Sequence, residues 1–178
     1  MSWLGRPLDP AVRDLLEAFL EVDLAAVRVH RGRGARLLTR LLGASGVAFG
    51  RRLFFSAAGA RILDGRGVSA AGFAAHEVAH VLQYRRYGFF GMLARYLWDY
   101  LRGRLARQGH HGAYRAIGFE REAREVGEKV AALLLADAEA LAALRDGLRL
   151  PAPCRERAAE AGRRVRCAPP PGPAPRGW

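Results

Sequence analysis

The string His76-Glu77-Val78-Ala79-His80 constrains this chain more than any other, because it calls for a helix and then requires that helix to face something. Residues four apart lie above one another on one helical face, so the two imidazoles converge while Glu77 projects about 100° away. The flanks agree. Ser69-Ala70-Ala71-Gly72-Phe73-Ala74-Ala75 offers Ser69 as an N-cap followed by good helix formers, and Val81-Leu82-Gln83-Tyr84-Arg85-Arg86-Tyr87-Gly88 continues the pattern to a glycine stop. Two histidines and a glutamate so placed suit a zinc ion, which takes nitrogen ligands in a tetrahedral shell and keeps one position for water at a catalytic centre. Glu77 then stands beside that water as its base. The alternative is an amphipathic core helix with two buried histidines, which needs other hydrogen-bond partners for both rings.

A third ligand has to come from elsewhere in the chain. Gly118-Phe119-Glu120-Arg121-Glu122-Ala123-Arg124-Glu125 opens a long second helical run, and helical steps from Glu120 reach Ala123, Gly127, Val130, Ala131 and Leu134. Small residues at 123 and 127 allow this helix to approach the first closely enough for a carboxylate to reach the metal. Glu122 lies about 200° and Glu125 about 140° from Glu120, so one of the three fits that face. An acid in a first helical turn also suits the helix dipole, and that reading stays open for Glu120. It applies more strongly to Glu122 and Glu125, which read as solvated, although the choice between Glu120 and Glu122 is not closed by spacing.

The HExxH helix followed by the distant Glu120-to-Ala123 ExxA segment resembles the gluzincin type of zincin metallopeptidase. A closer resemblance runs through Val27-Arg28-Val29-His30, Gly34-Ala35-Arg36-Leu37-Leu38, Leu42-Gly43-Ala44, Gly46-Val47-Ala48-Phe49-Gly50, Leu53-Phe54-Phe55 and Ala75 to Gln83. In order and spacing it is similar to the bacterial zincin-like core domain associated with extracellular contractile injection systems, the eCIS core domain. Two departures stand out: Gln83 is followed by Tyr84 rather than a second glutamine, and position 124 is arginine where some gluzincins carry an aspartate. The second removes a partner for a histidine ligand. The resemblance implies an α+β, zincin-like fold, mostly helical, with a small hairpin or sheet beside the HExxH helix.

At 178 residues, 51% apolar and 26% charged, the chain suits one folded domain, expected over residues 1–150. The net charge of +12 comes almost wholly from arginine, with Lys129 the sole lysine. The arginines are scattered and accompany no nucleic-acid-binding signature, so an arginine-biased surface is favoured over anion or nucleic-acid binding. Met1 to Pro10 lacks the apolar core of a secretory signal, which argues for a cytoplasmic protein, with non-classical release compatible. No apolar run reaches the roughly 18 residues of a membrane span, though Phe89 to Leu101 suits peripheral membrane contact. Cys154 and Cys167 lack metal-knuckle spacing and fit free thiols.

Pro10 to about Leu20 reads as a helix capped by Asp9, with Val12, Leu15, Leu16, Phe19 and Leu20 on its apolar side. Ala26 to His30 is β-like, Gly34 to Leu42 a short helix, and Gly46 to Ser56 a hairpin turning at Gly50-Arg51-Arg52. Met92 to Arg107 reads as an amphipathic helix, and the helix from Glu120 runs on to Asp146-Gly147. Residues 151–178, rich in proline and arginine, read as a disordered tail. His30, at a strand end, reads as a structural hydrogen-bonding residue. His110, His111 and Tyr114 precede Glu120 closely enough to offer a donor to the oxyanion of a tetrahedral intermediate, or to form a plain polar loop.

The expected activity is zinc-dependent peptide-bond hydrolysis of a peptide or protein substrate, with His76, His80 and Glu120 on the metal and Glu77 as general base. Two other readings differ in class. One is a catalytically silent zincin-like module that assembles with a larger particle such as an injection system or toxin, and the other is a basic anion binder.

Overall fold

Asp9 starts the first helix as its sequence suggests. In the computed structural model, which describes residues 5–107, 109, 112 and 117–166, its carboxylate accepts from the Ala11 and Val12 N–H groups, and Pro10 occupies the first helical position of α1 (Pro10–Leu20). Val12, Leu15, Leu16, Phe19 and Leu20 are all buried along it. Strand β1 (Arg28–His30) follows, then α2 (Arg33–Leu41), then the hairpin of β2 (Gly46–Phe49) and β3 (Arg52–Phe55). The hairpin turns at Gly50, whose φ of 60° is one that side chains rarely adopt. β3 is central, parallel to β1 and antiparallel to β2, so β2 forms an outer edge.

Helix α3 (Ala57–Asp64), not anticipated in the sequence, starts where the Ser56 hydroxyl accepts from Gly59 N–H at 3.1 Å. The long α4 (Val68–Leu105) carries the HExxH string. Its N-cap is Gly67 in extended conformation, so Ser69 sits within the first turn and does not cap. At Gly88 the backbone turns to φ 68°, ψ 173°, which kinks α4 into limbs of residues 68–87 and 89–105. The glycine does end the first limb, but the second begins at once rather than at Met92.

The helix expected to run from Glu120 to Asp146 is two helices, α5 (Gly118–Ala136) and α6 (Ala138–Arg145). Asp137 breaks it. Its backbone is non-helical, and its carboxylate caps α6 by accepting from Ala140 N–H at 3.1 Å. The expected disorder beyond Pro151 also needs correction, because Ala152–Arg166 forms α7. Pro153 falls in the first turn, where no N–H is needed, so the prolines start this helix instead of preventing it. Its small residues then hold it against α1: Cys154 and Ala158 are buried, and Gly162 lies so close to the Phe19 carbonyl that a Cβ would overlap it. Asp14 of α1 closes the joint by accepting from Leu150 N–H and pairing with Arg155. Residues 167–178, including Cys167, lie outside the described residues.

One core joins α1, the sheet, the first limb of α4, and α5, α6 and α7, with Phe19, Phe55, Leu15 and Leu53 among its fully buried side chains. Truncating Phe19 to alanine costs about 3–5 kcal/mol in such a setting. The second limb of α4 stands outside this core: its Met92 forms a small cluster with Ile117 and Phe119, with partly buried tyrosines around it, and its Phe89 packs on Phe49 of β2. The described residues are mostly helical with this one small sheet, an α+β arrangement. No described helix is long and apolar enough to cross a membrane.

Candidate metal centre

The crossing of α4 and α5 is built on two glycines. A Cβ on Gly127 would stand 2.7 Å from the Gly72 carbonyl oxygen, and one on Gly72 would stand 3.1 Å from that of Gly127. With Ala123 and Val130 also fully buried, the backbones meet closely one turn before His76 and two turns after Glu120.

That proximity brings three side chains together. His76 Nε2 lies 3.6 Å from Glu120 Oε2, and His80 Nε2 lies 3.6 Å from Glu120 Oε1. The rings of His76 and His80 stand edge to face with centroids 4.9 Å apart, and the three donor atoms all fall within 4.8 Å of one another. Donors about 2.05 Å from a tetrahedral ion lie about 3.4 Å apart, so the spacing fits a zinc-sized cation. The site is buried on one side and open on the other. Glu120 and His80 side chains are 6% and 9% exposed, whereas His76 is 25% exposed. Burial lowers the His80 pKa, against the opposing pull of the Glu120 carboxylate, so its ring favours the neutral form that a metal needs.

His80 is oriented from behind. Its Nδ1 lies 2.8 Å from Gln83 Oε1, and the Gln83 amide donates to the Phe119 carbonyl at 3.0 Å and to Glu122 Oε2 at 2.9 Å. This buried glutamine therefore ties the HExxH helix to the start of α5 and supports a histidine ring from behind. The role of Gln83 was missed in the sequence, although it sits three residues from His80 on the same face. Glu122 is exposed, as expected of a solvated acid, and also accepts from Gln83. Its oxygen is turned to that amide, and Glu120 alone of the two joins the histidines.

Glu77 is 4% exposed, and its Oε2 has no hydrogen-bond partner among the described residues. Burial raises its carboxyl to about 7; the neighbouring His76 ring opposes that rise and the Glu120 carboxylate adds to it. Gly46 on the edge strand β2 presses against it so closely that a Cβ there would overlap Glu77 Oε1. The hairpin thus passes directly over the glutamate, as a small sheet beside the HExxH helix requires.

Other residues singled out in the sequence fall elsewhere. His30 stacks on Phe54, with centroids 4.8 Å apart, and its Nε2 is buried without a hydrogen-bond partner among the described residues, so stacking holds it rather than hydrogen bonding. His110, His111 and Tyr114 lie outside the described residues. A second group that spacing did not reveal joins Asp137, Glu139 and Cys154 within the same 4.8 Å limit. Arg157 fills it, bonding Asp137 at 2.7 Å, Glu139 at 3.3 Å and the Cys154 sulfur at 3.0 Å. Burial pushes the Cys154 thiol up to about 11, so it stays protonated.

Residues 7–88 match the family model of the eCIS core domain. No curated protein and no solved structure matches the chain. The matched segment spans α1 to the kink of α4, so it contains His76, Glu77, His80 and Gln83 and leaves Glu120 outside. The match associates this first part of the chain, less than half its length, with the eCIS core domain of bacterial injection systems.

Proposed function

We propose that His76, His80 and Glu120 hold a zinc ion and that the chain is a zinc metallopeptidase of zincin type. The observation that carries this reading is the convergence of three donor atoms, with a second acid, Glu77, buried beside them and its Oε2 lacking a hydrogen-bond partner among the described residues. Neutral imidazoles and a carboxylate are the donor set zinc accepts. A zinc ion bound there polarises a carbonyl and lowers the pKa of water to about 7.

The rest is the work of the chain's own residues. Glu77 takes a proton at Oε2 from an attacking water and returns it to the leaving amine, and a carboxyl near neutrality is matched to both transfers. Gln83 holds the His80 ring at Nδ1 and leaves Nε2 turned towards Glu120, where it would hold the metal. The free edge of β2, held against Glu77 at Gly46, offers backbone groups along which an extended peptide can lie.

A second reading has its own support. The matched segment ends at residue 88 and leaves Glu120 outside, and its association with injection systems suits a module that assembles into a larger particle without cleaving anything. Metal analysis and peptide-library cleavage separate the two. The wild type is expected to hold one equivalent of zinc and to show chelator-sensitive cleavage, which Glu77→Gln lowers by roughly 10²–10⁴-fold while keeping the metal. His80→Ala and Glu120→Ala lose both. Wild-type protein that holds zinc and cleaves nothing supports the assembly module, and cleavage by Glu77→Gln at the wild-type rate rejects the assignment of the base.

A further inference from the structure

The second limb of α4 is apolar on two sides. Met92, Ile117 and Phe119 bury its inner side, yet Phe90, Leu93, Leu97, Leu101 and Leu105 recur every three or four residues on the outer side, joined by Trp98. Phe90 is 81% exposed, Trp98 62% and Leu105 83%. Six large apolar side chains in one stripe are more than a lone folded chain ordinarily shows to water. The stripe continues onto the hairpin, because Phe90 packs against Phe89 and Phe89 against the exposed Phe49 at the end of β2, with centroids 5.4 and 5.1 Å apart.

We propose that this limb is a membrane-surface helix that docks the protein flat on an anionic lipid bilayer. Charge selects the occupant. Arg95, Arg102, Arg104 and Arg107 border the stripe, Arg51 and Arg52 stand exposed at the hairpin turn next to Phe49, and Asp99 is the one acid between residues 89 and 107. Asp99 is already engaged, accepting from Gly118 N–H at 3.1 Å. A second copy of this chain packed face to face would bring these arginines together without acids to offset them. An anionic headgroup layer neutralises them while the acyl boundary takes up the leucines and phenylalanines, and an indole such as Trp98 favours that boundary. The limb is 17 residues, about 25 Å, which suits lying in the interface, and no described helix can span a bilayer.

Sedimentation of the full chain with vesicles tests this. Binding is expected to vesicles of phosphatidylcholine mixed with phosphatidylglycerol, to weaken with added salt, and to be absent with phosphatidylcholine alone. Leu97→Glu should weaken it by at least about tenfold, and each of Arg102→Gln and Arg107→Gln by about fivefold. Both leucine and arginine side chains are exposed there, and Phe90→Ser repeats the test should Leu97→Glu not fold. Stripping metal with a chelator is expected to leave binding unchanged, so failure of the peptidase reading and failure of this one are told apart. Absence of binding to the phosphatidylglycerol vesicles overturns the proposal, as does wild-type binding by Leu97→Glu. A dimer in solution that Leu97→Glu splits, without lipid binding by the wild type, overturns it in favour of a second copy.

Discussion

Two groups of ligand-type side chains sit among the described residues with their donor atoms within 4.8 Å of one another, and they are satisfied in opposite ways. Asp137, Glu139 and Cys154 enclose Arg157, whose guanidinium bonds all three, so that group needs no metal and serves as a joint between α6 and α7. His76, His80 and Glu120 bring two imidazoles to one carboxylate, with Gln83 turned to the far nitrogen of one ring and Glu77 waiting beside them. Proximity of acids and histidines is therefore a weak sign of a metal. What distinguishes the second group is its surroundings: a ring is oriented, a neutral imidazole is favoured by burial, and a buried carboxyl, Glu77, stands within its electrostatic reach.

The largest test of that contrast is steric. In Gly127→Val the new side chain meets the Gly72 carbonyl, so α4 and α5 must part, which costs about 1–3 kcal/mol of stability and separates Glu120 from both histidines. Zinc titration and thermal melting are expected to fall together, while Cys154 stays as slow to react with thiol reagents as in the wild type. Zinc affinity unchanged in Gly127→Val would show that the glycine crossing does not set the reach of Glu120.

Gln83→Leu strikes the preparation while leaving the glycine crossing of α4 and α5 in place. The replacement fills a similar volume but leaves His80 Nδ1 without its partner, and loss of such a support typically lowers metal affinity by about 10–100-fold. The same change leaves the Arg157 group untouched. Equal zinc affinity in Gln83→Leu and wild type would reduce the glutamine to a tie between α4 and α5.

Much of this was legible in the sequence where the signal is local. Asp9-Pro10 starts α1, Gly50 turns the hairpin, and the small residues at 123 and 127 anticipate a close crossing, because each depends on neighbours within a turn or two. Misreadings came where a residue's meaning depends on distant contacts. Pro151 and Pro153 resemble a breaker until Gly162 and Ala158 find α1, and then they mark a helix start. Asp137 fell inside the single helix expected from Glu120 to Asp146, yet with Arg157 opposite it becomes a cap. Gln83 and Glu122 gain their roles only across the gap between α4 and α5. Met92 to Arg107 read as an amphipathic helix, but periodicity alone could not show that both sides of this limb are apolar.

The smallest effect concerns acid, and it separates the groups by linkage. Asp137 has its pKa lowered first by the hydrogen bond from Arg157, then by the Ala140 N–H, against a burial contribution that raises it. A carboxyl lowered in the folded state contributes stability that is complete above its ordinary value of 3.8 and is lost as pH falls through that value towards the lowered one. Asp137→Asn removes this titration, and Arg157→Gln removes its main cause. Both variants should melt below the wild type at neutral pH, yet between about pH 4 and pH 2 their melting temperatures should fall less steeply than the wild type's. Parallel melting curves for wild type and both variants across that window would mean that Arg157 fills the group without stabilising the charge on Asp137, and the joint between α6 and α7 would then rest on the packing of Cys154 and Ala158 alone.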